Sequence, residues 1–373
     1  MKRRQFLTVG TAVMAAPALP SVTATTAQAA PPASSLPRRA DIIAVVRRVA
    51  DQWIATHSNS GDNGWARATF FSGLMAAHKL TGEVRYLNYA RAWAERHNYG
   101  IPGGVTTRHA DNHNCIQTYL DLYDLEPSAD KLTAATDTLS RMVNSTKIDD
   151  WWWCDALHMA MPPFARIGRL RADPAYWTKV YQLYNHTKRT RKLWIPSNGL
   201  WYRDERFLPT GILSPNGKPV VWSRGDGWVA AGHVKTLKAL PADQANVAEY
   251  KTGLTQLVGS LRSIQRSDGF WNVNLADPQH LPGPETSGTA FFAYSAAYAV
   301  RTGLLPSVTY LPMAARAWNG MVQTAVHPDG FLGYVQKVGD RPESSQPVNY
   351  QSTADFGVGA FLLAGAELAL LTN

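Results

Sequence analysis

The chain has 373 residues, a formal charge of +9, 17% charged residues and two cysteines, Cys115 and Cys154. Two cysteines exclude a disulfide framework and a cysteine-built metal cluster, and the scattered basic residues speak against nucleic-acid binding. The length allows one large domain or two ordinary ones, and the unusual feature is aromatic: thirteen Trp and fifteen Tyr.

In chain order the first element is a targeting segment. It opens Met1-Lys2-Arg3-Arg4-Gln5-Phe6-Leu7, runs through a mildly apolar stretch to Val13-Met14, and closes on Ala27-Gln28-Ala29. A basic start, a short apolar centre and a small-x-small site predict a secretory signal over 1–29. The Arg3-Arg4 pair ahead of Phe6-Leu7 fits twin-arginine export to the periplasm or beyond. Pro17 and Pro20 break the apolar run, which is too short to span a membrane. No other segment reads as transmembrane, so no membrane association is expected. A Pro- and Ser-rich linker is expected over 30–37, and one folded catalytic domain over 38–373. Removing Lys2, Arg3 and Arg4 leaves about +6, a modest field that suits an anionic substrate.

Helical periodicity follows throughout. Apolar residues recur at three and four positions over Ile42–Ala55, Ala68–Leu80, Val84–Arg96, Ile116–Leu125 and Ala134–Val143. Short breaks with Gly, Pro, Asn or Asp separate them. Strand-like alternation is scarce; Leu208–Val221, around Pro215-Asn216-Gly217, reads as one hairpin or a long loop. Two helix-turn-helix units, around Leu80-Thr81-Gly82 and Leu170 to Pro174, form a loose repeat. About a dozen helices arranged as hairpins predict an all-α toroid, an α/α barrel with an inner and an outer ring.

Four stretches gather rare residues where apolar helices begin: Trp65–Gly73, Ala110–Tyr119, Trp151–Met159 and Trp222–Trp228. Asp155 follows three tryptophans and precedes an apolar helix. Such an Asp can cap the helix, yet its indole neighbours would desolvate it, which favours the protonated form and suits a proton donor. Asp111 stands at another helix start. Two such carboxylates converging at one end of a toroid are what glycoside hydrolysis needs. In Trp222-Ser223-Arg224-Gly225-Asp226-Gly227-Trp228 the glycines allow a tight turn that presents Arg224 between indoles, suited to a carboxylate. His113 and His158 read as buried or surface groups, and Glu285 as a helix cap. Zinc motifs and Gly-rich phosphate loops are missing, and no metal or cofactor is expected.

In this order the stretches resemble the unsaturated uronyl hydrolases of glycoside hydrolase families 88 and 105, the rhamnogalacturonyl enzymes of family 105 more closely. The specific parts are Trp153-Cys154-Asp155-Ala156-Leu157 with Met159, and Trp222 to Trp228. Glu285-Thr286-Ser287-Gly288-Thr289 and Gly357 to Ala364 extend the likeness, which runs from about Val45 to the C-terminus. The resemblance implies an (α/α)6 barrel acting on an acidic oligosaccharide. The substrate would carry a Δ4,5-unsaturated uronic acid at its non-reducing end, lost by hydration of the double bond. It implies Asp155 as acid/base, Asp111 as the orienting carboxylate, and sugar contacts from Trp65, Trp153, Trp222, Arg224 and Trp228. Where some members carry His, this chain has Arg203, a candidate ligand for the uronate. Asn112 and Ile116 replace Asp and Gly of many relatives, and His158 replaces a more usual aromatic. Rival readings are an inverting glycosidase on saturated sugars and a glycan-binding toroid without turnover; an epimerase would need a catalytic His pair, for which the chain offers no clear candidates.

Overall fold

A computed structural model describes residues 32–372; the signal segment expected over 1–29 lies outside them. The described part of the expected linker carries no helix, and the carbonyls of Ala33 and Ser35 accept hydrogen bonds from Asn319 at 2.7 and 2.9 Å. Thirteen α-helices follow among the described residues: α1 (Arg39–Thr56), α2 (Trp65–Thr81), α3 (Val84–Arg96), α4 (Ala110–His113), α5 (Ile116–Leu125), α6 (Asp130–Val143), α7 (Ala156–Leu170), α8 (Pro174–Asn185), α9 (Ser223–Ala239), α10 (Val247–Leu261), α11 (Thr286–Arg301), α12 (Ser307–Thr324) and α13 (Asp355–Leu368). The segments read as helical from periodicity are all helices, each beginning up to four residues earlier than or level with its apolar pattern. Among the described residues, β-structure is confined to isolated bridges. The 208–221 stretch is a long loop with one bridge, Leu213 to Pro219, because its other residues find no partner strand.

The helices alternate between two rings. Helices α2, α4 with α5, α7, α9, α11 and α13 contact one another in sequence, and α13 returns to α2 to close the inner ring. The outer helices α1, α3, α6, α8, α10 and α12 each lie against it. This is the (α/α)6 barrel. Burial follows the ring. Outer α3 buries one stripe, Tyr86, Ala90, Trp93 and Ala94, as a helix with one wet face should. Inner α11 buries every residue from Thr286 to Val300. Each large side chain so buried contributes about 1.5–3 kcal/mol.

Inner helices pack closely where side chains are small. A Cβ on Gly73 would lie 2.3 Å from the carbonyl oxygen of Gly359, and one on Gly359 equally near that of Thr69. Helices α2 and α13 therefore touch backbone to backbone, and alanine at either site forces them apart. Polar side chains inside the ring satisfy one another. Asn114 donates to Trp65 O and Thr69 Oγ1, both at 2.8 Å, Gln117 donates to Asn114 Oδ1 at 2.6 Å, and Lys235 donates to Gln117 Oε1 at 2.8 Å and to Ser72 Oγ. This chain descends the barrel from the mouth bearing the inner helix N-termini. At the far end a cavity of about 280 Å³ is lined by Lys79, Asp121, Arg166 and Lys235. There Asp121 pairs with Lys79 and Arg166. No helix among the described residues is long and apolar enough to cross a membrane.

Candidate active site

The N-termini of the inner helices meet at one mouth. Trp65, first in α2, lies 5.3 Å from Phe356 of α13 and 5.9 Å from Trp228 of α9 by ring centroids. Ser223, first in α9, donates to Glu285 at the start of α11 at 3.2 Å. Glu285 is a cap as expected: its carboxylate accepts from the amides of Ser287 and Gly288. Helix N-termini carry partial positive charge, so this mouth favours an anion.

Asp155 immediately precedes α7, the place of a cap, but its side chain makes no capping bond among the described residues. The carboxylate instead meets other groups. Cys154 Sγ donates to Oδ1 at 3.4 Å, and Oδ2 lies 3.7 Å from Arg203 Nε. A single antiparallel bridge brings Arg203 there: Trp153 pairs with Asp204, and Cys154 N donates to Arg203 O at 2.8 Å. Asp204 fixes the guanidinium, accepting from Arg203 Nη1 at 2.6 Å while also holding Arg206. Arg203 Nε is buried and finds no hydrogen-bond acceptor among the described residues.

Asp111 lies in the four-residue helix α4, its Oδ2 3.8 Å from His109 Nδ1. Burial, and then the negative charge of Asp155, push its carboxyl up to about 7 against the pull of Arg203. Desolvation is thus the main force on Asp111, the second carboxyl of the pair. Two carboxyl groups and a guanidinium share this mouth, and together they can give a proton, take one and hold an anion.

The glycines of the 222–228 stretch do not make the expected tight turn. Ser223 to Trp228 is the first part of α9, and Gly225 serves close approach: its Cβ would stand 3.3 Å from Cys154 Sγ and 3.9 Å from Asp155 Oδ1. Arg224 lies between Trp222 and Phe356, 4.1 and 5.1 Å from the ring centroids, and not between Trp222 and Trp228. Its guanidinium donates to Lys337 O at 2.7 Å, Gly339 O at 2.9 Å and Ser345 Oγ at 3.3 Å. Burial lowers its pKa to about 10. These contacts tie the 337–345 loop to α9.

The indoles divide sharply. Trp153, Trp222 and Trp228 are at most 2% exposed and form the wall behind the site. Trp222 Nε1 donates to Gln336 at 2.6 Å, and Trp228 packs on Phe291 and His158. Trp65 is half-buried, whereas Trp152 is 42% exposed. His158 is buried with neither ring nitrogen hydrogen-bonded among the described residues, and burial holds it neutral, well below its ordinary pKa. It packs as an uncharged ring against Trp228 and Phe291. His113 is likewise buried and neutral, its Nε2 3.3 Å from Thr107 O.

Composition and spacing passed over Trp152, Asp204 and Asp226. Asp226 is buried, accepts from Trp201 N at 3.0 Å through Oδ1, and its carboxyl is pushed well above the usual range chiefly by burial. The signal was present in the stretch's odd Asp between two glycines. Both cysteines are free and buried. Among the described residues, no group of three or more His, Cys, Asp or Glu is placed to hold a metal.

This geometry has known counterparts. The model of Glycosyl Hydrolase Family 88 matches residues 44–372. An unsaturated 3S-rhamnoglycuronyl hydrolase of Formosa agariphila is 30% identical over 330 residues, covering 82% of this chain and 84% of the relative. The solved structure of a glycosyl hydrolase family 88 protein from Bacteroides vulgatus superposes with a TM-score of 0.85 at 33% identity, over 90% of this chain and 99% of that one. Another, described as a polysaccharide lyase, gives 0.84 at 34% identity over 89% and 98%. The chain belongs to glycosyl hydrolase family 88.

Proposed function

We propose that this chain removes a Δ4,5-unsaturated uronic acid from the non-reducing end of oligosaccharides left by a polysaccharide lyase. The observation that carries the reading is the grouping of Asp155, Asp111 and Arg203 at the mouth where the inner helices begin. Asp155, free of capping duty, protonates C4 of the enol ether and then takes a proton from the water that adds at C5. The C5 hemiketal opens to a ketone, and the hemiacetal left at C1 collapses to an aldehyde, releasing the remaining saccharide with a free hydroxyl. One water is consumed and Asp155 ends as it began. Asp111, whose carboxyl is pushed up to about 7 by burial and the neighbouring Asp155, orients that water. The Arg203 guanidinium, held beside Asp155, takes the uronate carboxylate, helped by the helix N-termini.

The test is direct. Mature protein is incubated with a panel of lyase-digested acidic polysaccharides while the ultraviolet absorbance of the enoate is followed. The signal falls if the reading is right. The solved relative described as a lyase supports a second reading, β-elimination, which would raise the same signal on intact polysaccharide. The Lys2-Arg3-Arg4 start supports export by the twin-arginine route; replacing Arg3 and Arg4 together by Lys should leave the unprocessed chain in the cytoplasm.

A further inference from the structure

We propose that Trp152 is the platform on which the leaving-group sugar stacks, a role that rests on the hydrolase reading above. Sugar rings bind aromatic faces, and a face must be open to be used. Trp153, Trp222 and Trp228 offer none, being at most 2% exposed. Trp65 is engaged by Trp228 and Phe356. Trp152 alone among these five indoles is more than a third exposed, at 42%.

The ring is also held in place. Trp153 packs against it at 4.4 Å between centroids, and the Arg203 guanidinium carbon lies 5.4 Å from its centroid. Asp204 locks that guanidinium in turn. A surface ordered before binding loses little freedom when a ligand arrives. Arg203 therefore stands between two positions, with Asp155 3.7 Å from Nε on one side and the Trp152 ring on the other. A substrate whose enoate ring occupies the Asp155 and Arg203 position extends its next ring over Trp152. A pyranose with a continuous apolar C–H face, such as a 6-deoxyhexose, suits the indole.

The test compares two substrates, a methyl Δ4,5-unsaturated uronide and a disaccharide in which the same uronic acid is linked to a 6-deoxyhexose. The readout is the ratio of kcat/KM for disaccharide over methyl glycoside. Trp152→Ala is expected to lower that ratio about tenfold, mainly through the KM of the disaccharide, and Trp152→Phe to keep it within about threefold of wild type. An unchanged ratio in Trp152→Ala, with wild-type enzyme consuming both substrates, overturns the platform and leaves the hydrolase reading standing. A wild-type enzyme that consumes neither overturns both.

Discussion

Asp155 Oδ2 faces Arg203 Nε at 3.7 Å, while the amides at the start of α7 go uncapped by the Asp155 side chain. A carboxylate that gives up a cap worth about 1 kcal/mol to face a guanidinium is free for chemistry. Asp155→Asn keeps the shape and removes the titrating oxygen. Enoate consumption should fall by about 10³-fold or more, with the thermal midpoint close to wild type. Near-normal turnover in the Asp155→Asn variant would sink the assignment.

Arg203 faces Asp155 through Nε and grips Asp204 through Nη1. A lysine has one nitrogen and cannot do both. Arg203→Lys should raise KM about 10-fold or more, by weakening one desolvated charge contact by about 2 kcal/mol. The same steady-state enoate assay reads it. If KM stays put while kcat falls, Arg203 acts on Asp155 and not on the uronate.

Much of this was legible in residue order. Repeating apolar spacing set out α1, α2, α3, α5 and α6 because an amphipathic helix must bury one face. Asp111 and Asp155 stood out as carboxylates at helix starts. The Arg203–Asp155 contact was not legible, since one isolated bridge between Trp153 and Asp204 creates it. Arg224 misled because its partners, Lys337 O and Gly339 O, are backbone groups that leave no mark in side-chain chemistry. Gly225 and Gly227 suggested a turn, as glycine is a poor helix former, but tight contact with Cys154 and Phe291 decided their conformation. Counting tryptophans could not tell the open ring of Trp152 from the closed one of Trp153.

Arg224 is expected to behave as a brace. Replacing it by Met keeps the stacking on Trp222 and Phe356 in part, but removes the charged donor from two carbonyls of the 337–345 loop. Each hydrogen bond lost from the charged guanidinium costs about 1–3 kcal/mol. Arg224→Met should therefore lower the denaturation midpoint substantially and increase proteolysis within 337–345. A variant that binds substrate more weakly with unaltered stability would return Arg224 to the role of a carboxylate ligand.

Asp111 ties stability to pH, with a definite sign. Its carboxyl is held at about 7 in the folded chain and titrates at about 4 when unfolded. Between these values the folded state binds the extra proton, so stability falls as pH rises from about 4 to 7 and levels off above. Three units would correspond to about 4 kcal/mol, but the side chain is 26% exposed and solvent screening reduces this to about 2 kcal/mol. Asp111→Asn removes the ionisation. The variant should be more stable than wild type at pH 8 by about that amount, with the gain vanishing near pH 4. Because Asp111 orients the attacking water, wild-type kcat/KM should change as Asp111 ionises near pH 7, and the variant should lose that inflection. Chemical denaturation at pH 4, 6 and 8, with matching pH–rate profiles, checks both halves. A pH-independent stability difference between the two proteins would show that Asp111 is an ordinary surface acid.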